Sequence, residues 1–375
     1  MRGLTWRITE SNLPHVDLFF SPHLREISIF ISGSFSRRNL EIRPDILPVI
    51  ASAISTLPTS TLQVLFVDYS NHGVPWAYFK DTFSSIALRC GPSLTEFTSP
   101  VPLSSAAVNH LIRLPHLHTW RVEGPPPRYS ASSLPTVFPP LTKFTLGEWA
   151  TRQWLSLFER MQRGVPATQG VTPLFKAKES LTSLRVEELD PLGYTIDVSF
   201  IAAIKIFRNL VHLDVAALCY RKGEGHCIFK LNNKNVSTLA MALPRLESFL
   251  LGYPCFENTC STTVACLLLI SVHCLKLQKL EIHFNTTNIV NDLKDISRNP
   301  RFQELLPLPR CPLLHLKVSQ TPLALDEPDF ETVANGMLDI FPSLIRCEGH
   351  RKVWYDISGR INELQKMRTT LERRW

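Results

Sequence analysis

Charge is scarce in this 375-residue chain: Asp, Glu, Lys and Arg make up only 19% of it, against roughly a quarter in an average soluble protein. That excludes a disordered, charge-driven chain. The net charge of +7 is modest and spread out, without the basic stripe of a nucleic-acid-binding protein. Long apolar runs are missing too. The longest, Val264 to Val272, falls far short of the ~20 residues that span a bilayer, and reads as a helix buried on most sides. The first ten residues, Met1 to Glu10, lack the uninterrupted apolar stretch of a secretory leader. Nine cysteines, an odd number without a paired framework, exclude a disulfide scaffold and suit a reducing compartment, cytoplasm or nucleus. The sequons at Asn235 and Asn285 are accordingly expected to go unused.

Recognisable chemistry is equally absent. Gly223-Glu-Gly225 lacks the third glycine of a dinucleotide loop, and there is no Walker sequence and no Gly-x-Ser-x-Gly elbow. His110, His116 and His118 cluster, as do Cys219, His226 and Cys227, then Cys255 and Cys260. None forms the two matched pairs that a closed zinc site needs. The expectation is therefore a non-enzyme with no cofactor and no metal.

What the chain does have is repetition. Eleven times, at Leu24, Leu62, Leu94, Leu117, Leu141, Leu181, Leu210, Leu246, Leu277, Leu313 and Leu344, the same phrase recurs: Leu, two residues, apolar, one residue, apolar. Cys274-Leu-Lys-Leu277-Gln-Lys-Leu280-Glu-Ile282 is a clear copy. The second and third apolar positions alternate with polar ones, as in Ile27 and Ile29 or Leu316 and Val318, which marks a half-buried strand. Between phrases lie segments with helical apolar spacing: Ile46 to Ile54, Trp76 to Leu88, Val108 to Leu114, Trp149 to Met161, Phe200 to Phe207, Val236 to Leu243 and Phe330 to Phe341. Pro22, Pro58, Pro92, Pro115, Pro140, Pro244, Pro312 and Pro342 precede a repeat leucine by one to four residues, where proline stops a helix.

Strand then helix, repeated, predicts an α/β solenoid of leucine-rich-repeat type, with parallel strands on a concave face, helices on a convex face and a C-terminal capping helix. Its spacings run from 23 (Leu94 to Leu117) to 40 (Leu141 to Leu181), outside the usual 20–29, so most units carry insertions. A doubly wound α/β domain is disfavoured because its central strands read as unbroken apolar runs. The expected divisions are 1–20, a cap or partial repeat; 21–350, the irregular solenoid; and 351–375, an amphipathic helix. In that helix Ile357, Ile361, Leu364, Met367 and Leu371 form the apolar stripe, with Gly359 a mild flaw. The stretch Gly124 to Ser133, with three consecutive prolines, reads as an exposed insertion, and a second mobile stretch is expected near Asn291 to Arg301.

Residues between the second and third apolar positions should face outward along the concave sheet: Ser28, Phe66, Thr98, Arg121, Thr145, Arg185, Asp214, Leu250, Glu281 and Lys317, flanked by Lys143, Glu187, His212, Lys279 and His283. Mixed charge with exposed Phe66 and Leu250 suits a protein partner, with neither nucleic acid nor membrane expected. Arg121, Lys143, Arg185, Glu187, His212, Asp214, Leu250, Lys279, Glu281 and Lys317 are the candidate protein-binding residues. Reversing the charges of Arg185, Asp214 and Glu281 together is expected to abolish partner capture without unfolding the chain.

His273-Cys274-Leu-Lys-Leu277-Gln-Lys-Leu280-Glu-Ile282, Arg310-Cys311-Pro312-Leu313 and Phe341-Pro342-Ser-Leu344 resemble the leucine-rich-repeat region of F-box proteins, particularly the divergent set of mushroom-type fungi. The resemblance covers roughly residues 20 to 350. It implies repeats that hold a substrate for an SCF ubiquitin ligase, with an F-box docking the Skp adaptor. Leu13-Pro14-His-Val16 echoes an F-box opening, but a repeat strand begins near Leu24 in place of a helical module, so an F-box supplied upstream is required for Skp binding. A second reading of the same face is a repeat-built inhibitor or activator of another enzyme, such as a GTPase.

Overall fold

The computed structural model describes residues 3–8, 15, 21, 23–31, 47–67, 76–123, 141–147, 179–188, 195–217, 228–251, 261–318, 327–349 and 352–372. The chain divides into two compact units, Met1–Trp149 with Arg163–Leu181, and Ala150–Gln162 with Thr182–Trp375. The predicted helix over Trp149 to Met161, the triple-proline stretch, Gly223 to Gly225 and Cys219, His226, Cys227, Cys255 and Cys260 lie outside the described residues.

The first unit carries strands β1 (Gly3–Ile8), β2 (Glu26–Ile31), β3 (Val64–Val67), β4 (Glu96–Ser99), β5 (Thr119–Glu123) and β6 (Lys143–Gly147), with helices α1 (Leu47–Ser55), α2 (Lys80–Arg89) and α3 (Ser105–Leu111). Its strands pair in sequence order and in parallel. In the second unit the main strands are β7 (Ser183–Glu188), β9 (His212–Ala217), β11 (Ser248–Leu251), β12 (Lys279–Ile282), β13 (His315–Val318) and β14 (Arg346–Gly349). They too are parallel neighbours throughout. A two-stranded parallel ladder, β8 (Thr195–Ile196) with β10 (Ile228–Phe229), stands apart from them. The unit's helices are α4 (Val198–Ile204), α5 (Asn233–Ala242), α6 (Ala265–His273), α7 (Ile289–Arg298), α8 (Pro300–Gln303), α9 (Glu327–Ile340) and α10 (Lys352–Glu372). Successive helices pack side by side, α5 on α6 and α9 on α10 among them.

Each unit is a leucine-rich-repeat-like array, and the repeat leucine explains why. All eleven are at most 2% exposed. The second apolar position forms in-register columns: Ile27, Leu65, Phe97, Trp120 and Phe144 in one unit, and Leu184, Leu213, Phe249, Leu280, Leu316 and Cys347 in the other. Every one of these residues is buried. No single unit could hide such a face, whereas a stack of neighbours does. Removing one of these leucines to alanine would cost about 2–5 kcal/mol.

The residue after each repeat leucine starts the ladder to the next strand. In the second unit Val211 donates to the Thr182 carbonyl, Glu247 to Val211, Gln278 to Glu247, Leu314 to Gln278 and Ile345 to Leu314, at 2.7 to 3.1 Å. Just before it the chain makes a tight turn. The backbone N–H of Leu24, Leu94, Leu246 and Leu344 reaches back to the carbonyl of Ser21, Gly91, Leu243 and Phe341. In the last three the second turn residue is Pro92, Pro244 or Pro342, whose fixed φ presets that corner. Proline here therefore shapes the turn into the strand as well as ending the helix.

The first strand and the last helix each pack within their own unit. β1 lies within residues 1–20 and pairs in parallel with β2. At the other end α10 packs on β14 and α9. Ile357 and Ile361 are fully buried, but Met367 and Leu371 are about half exposed, so only the first half of the predicted stripe caps the core. The anchor absent from that stripe is Trp354, 1% exposed. It fills the space beside Gly349, which stands where nine of the other ten phrases carry Val, Ile or Leu; a Cβ there would come within 2.5 Å of the ring's Cγ.

One expectation is overturned outright. The stretch expected to be mobile near Asn291 to Arg301 is α7 and the start of α8, with Ile289, Leu293 and Ile296 buried. Its three- and four-residue apolar spacing is hidden among the five charged or amide side chains of α7. Asn235, a sequon, is instead the third residue of an asparagine capping box: its side chain accepts from the Asn232 N–H, and its own N–H donates to the Asn232 side chain.

Candidate functional site

Parallel pairing places the alternate residues of each strand in straight rows on the face turned away from the core. In the first unit Ser28 sits beside Phe66, and Thr98 beside Arg121 beside Thr145. Lys143 sits beside Thr119. Phe30 and Phe66 lie with ring centroids 5.9 Å apart, an aromatic cross-strand contact that leaves Phe66 half-buried rather than exposed.

The second unit brings most of the predicted residues together. Its middle row runs Arg185, Asp214, Leu250, Glu281, Lys317 and Glu348 in continuous register. The next row, two residues earlier on each strand, runs Ser183, His212, Ser248, Lys279, His315 and Arg346. Glu187 sits in register with Ala216 on the far side of the middle row.

The charges of the middle row neutralise one another locally. Arg185 Nε lies 3.4 Å from Asp214 Oδ2, and Lys317 Nζ lies 2.9 Å from Glu281 Oε1. Arg346 pairs with Glu348 on its own strand. These pairs correct the expectation of solvated, freely reversible charges. Glu281 is 6% exposed because Lys317 lies against it, so a lysine there would place two cations together in a nearly dry position, at a stability cost. Thr98 is buried as well, and Leu250 is half-buried. His283, expected on the outward face, is 3% exposed. It follows the end of β12, where the Thr262 hydroxyl donates to its carbonyl at 3.0 Å and a neighbouring segment covers it.

Where Leu250 interrupts this charge pattern, the surface dips into a pocket of about 170 Å³. Its rim includes Lys279, Glu281, His315, Lys317 and Arg346, with Leu250 as its apolar wall. A site for a drug-sized molecule or an organic cofactor occupies ~300–1,000 Å³. This one accommodates a single side chain.

No family model matches the chain, and no curated protein matches it. Among solved structures it is similar to the "Crystal structure of TLR13-ssRNA13 complex", at 13% identity and a TM-score of 0.35, with 93% of this chain and 42% of that one covered. The chain thus spans less than half the length of that protein. The fold assignment rests on the register and burial described above.

His315, Arg346 and Glu348 escaped the reading of the sequence for a physical reason. The last phrase places Cys347 and Gly349 where leucine and valine normally betray the alternation, so its strand was not counted among the rows. The histidine and cysteine clusters that lie within the described residues do not converge on a centre. His110 Nε2 lies 2.8 Å from the Cys90 carbonyl oxygen, His118 Nδ1 lies 3.1 Å from the Thr119 hydroxyl, and His116 is exposed. Among the described residues no group of three His, Cys, Asp or Glu could hold a metal. Cys90, Cys266, Cys274, Cys311 and Cys347 are buried free thiols. Burial pushes Cys90, Cys274 and Cys311 up to about 12, the mark of inert packing residues rather than nucleophiles. The Cys274 thiol donates instead to the Ala240 and Leu243 carbonyls at 3.6 and 3.7 Å, where α5 ends. No helix among the described residues is long and apolar enough to cross a membrane.

Proposed function

We propose that this chain is a non-catalytic recognition scaffold that captures a protein partner on the open strand face of its second unit. One observation carries the reading. Six strands hold two side-chain rows at fixed pitch, and the rows meet at an apolar pocket of single-side-chain size rimmed by charges. Such a surface has the apolar centre and polar surround of a protein-binding hot spot. Lys279, Leu250, Lys317 and the Arg185–Asp214 pair are its core, with His212, Glu281 and Glu187 beside them; Arg121 and Lys143 serve the corresponding face of the first unit.

The finer reading is substrate recognition for an SCF ubiquitin ligase, with an F-box and its Skp adaptor supplied upstream in the full protein. It rests on the resemblance of the Cys274, Cys311 and Pro342 phrases to repeat regions of fungal F-box proteins. The five buried thiols support a reducing compartment, cytoplasm or nucleus. Control of another enzyme, such as a GTPase, through the same face is the reading that competes with it.

Affinity purification of the tagged full-length protein, beside its Leu250→Asp variant, tests both levels. Loss of specific partners in the variant, with Skp and cullin subunits recovered in the unmutated sample, is the expected result. An unchanged partner set overturns the recognition face. Specific partners without Skp or cullin, dominated by one enzyme, overturn the ligase reading alone.

A further inference from the structure

We propose that the partner segment seated on this face is acidic, with an apolar side chain against Leu250 and carboxylates on Lys279 and Arg346. This rests on the recognition reading above and adds the chemistry of what is recognised.

Charge complementarity carries the inference. The row His212, Ser248, Lys279, His315, Arg346 contains no acid, and all of its members except Ser248 are exposed. In the adjacent row the acids Asp214, Glu281 and Glu348 are each already matched to a base. Around the pocket three cations, Lys279, Lys317 and Arg346, face two carboxylates, Glu281 and Glu348. Lys279 makes no ion pair within 4.0 Å among the described residues and is the unmatched charge. A carboxylate at Lys279 completes the set; a second can share the exposed fork of Arg346, whose guanidinium has five donors.

Geometry narrows the segment. Adjacent strands lie ~4.8 Å apart, so Lys279 on β12 and Arg346 on β14 are about 10 Å apart along the row. A polyproline II segment crossing the strands has three residues per turn and rises ~3.1 Å per residue, which puts acidic residues three apart on one side of it, over the two cations. The apolar wall of Leu250 lies one strand to the side and takes a neighbouring side chain. A nucleic-acid backbone fits less well. Glu281 and Glu348 on the rim repel phosphates, and neither row carries a Phe, Tyr or Trp on which bases would stack.

The test measures fluorescence anisotropy of short labelled peptides on the full-length chain. One peptide carries two Glu three residues apart beside a Leu; matched peptides carry Gln or Lys in place of Glu, and a labelled single-stranded RNA is run in parallel. Glu-specific binding that weakens about tenfold or more in Lys279→Met and Lys279→Glu supports the proposal. Lys279 is exposed, so both variants should keep the circular dichroism of the parent, and Lys366→Glu on the exposed side of α10 should bind normally. Equal binding of Glu and Gln peptides, or binding indifferent to Lys279, overturns it, as does Lys279-dependent retention of the RNA in preference to the peptides. A photo-crosslinker at Ser248 separates the two levels of argument. A cross-linked protein whose mapped segment is not acidic sinks the acidic segment alone, whereas failure to cross-link any protein from this face sinks the recognition reading itself.

Discussion

Removing the ring of Trp354 should damage the protein in a way that a second, normally harmful substitution repairs. Trp354 is 1% exposed and occupies the space left by the missing side chain of Gly349. Truncation of so large a buried aromatic costs about 3–5 kcal/mol. Gly349→Ala alone drives a methyl to within 2.5 Å of the ring's Cγ and 2.7 Å of its Nε1, an overpacking worth about 1–3 kcal/mol. In the double variant the methyl enters space the ring has vacated, so its penalty disappears. The two changes should therefore be non-additive by about 1–3 kcal/mol, with the double no less stable than Trp354→Ala alone. Urea unfolding followed by circular dichroism gives the four free energies. Because stability in a repeat array is shared mainly between neighbours, hydrogen exchange should quicken first in β14 and in the opening turns of α10, with β9 and β11 less affected. Additive effects, with a coupling below ~0.5 kcal/mol, would refute the claim that the ring and the glycine share one space.

Three further outcomes rest on packing and burial. Gly359→Ala, in α10 with nothing within 4 Å of the added carbon, should stabilise the chain by up to about 1 kcal/mol, whereas Gly336→Ala in α9 meets Leu293 at 2.8 Å and should gain little or lose; thermal melts of the pair decide. Glu281→Lys should cost about 1–3 kcal/mol by facing half-exposed Lys317 from a nearly buried position, while Glu281→Leu should stay near neutral, and a shared urea midpoint for the two would contradict the ion-pair account. The thiols of Cys90, Cys274 and Cys311, raised by burial to about 12, bind their protons more tightly folded than unfolded. Their stabilisation is fully present below pH ~8.5 and declines as pH climbs from there toward 12, by about 1.4 kcal/mol per pH unit per thiol. A flat stability profile between pH 8 and 10, or rapid alkylation of the native protein, would contradict their burial.

Much of the fold was legible because its signal is local. The repeat leucine and the first apolar residue after it are buried in every phrase, so eleven short phrases suffice to announce parallel strands. Helices showed wherever apolar residues dominated a face, as in α6 with Leu267, Leu268 and Ile270. They hid where three apolar residues stood among charges, as in α7. The site was only partly legible. Register can be guessed from the phrases, but which charge leans on which is a tertiary fact: nothing in the spacing of Glu281 and Lys317 says that one shields the other. The strand of Arg346 and Glu348 was obscured by the very glycine that admits Trp354.

Backbone hydrogen bonding alone fixes the distance from one strand of this array to the next, whatever length of chain travels between them. The unequal spacings of 36 residues from Leu277 to Leu313 and 31 from Leu313 to Leu344 thus leave the lateral position of Lys279 relative to Arg346 untouched. Recognition chemistry and linker length become independent variables. Specificity can be rewritten one strand at a time by exchanging a single outward side chain, while the spacers drift freely, which makes the loosest part of the sequence compatible with the most closely ruled part of the surface.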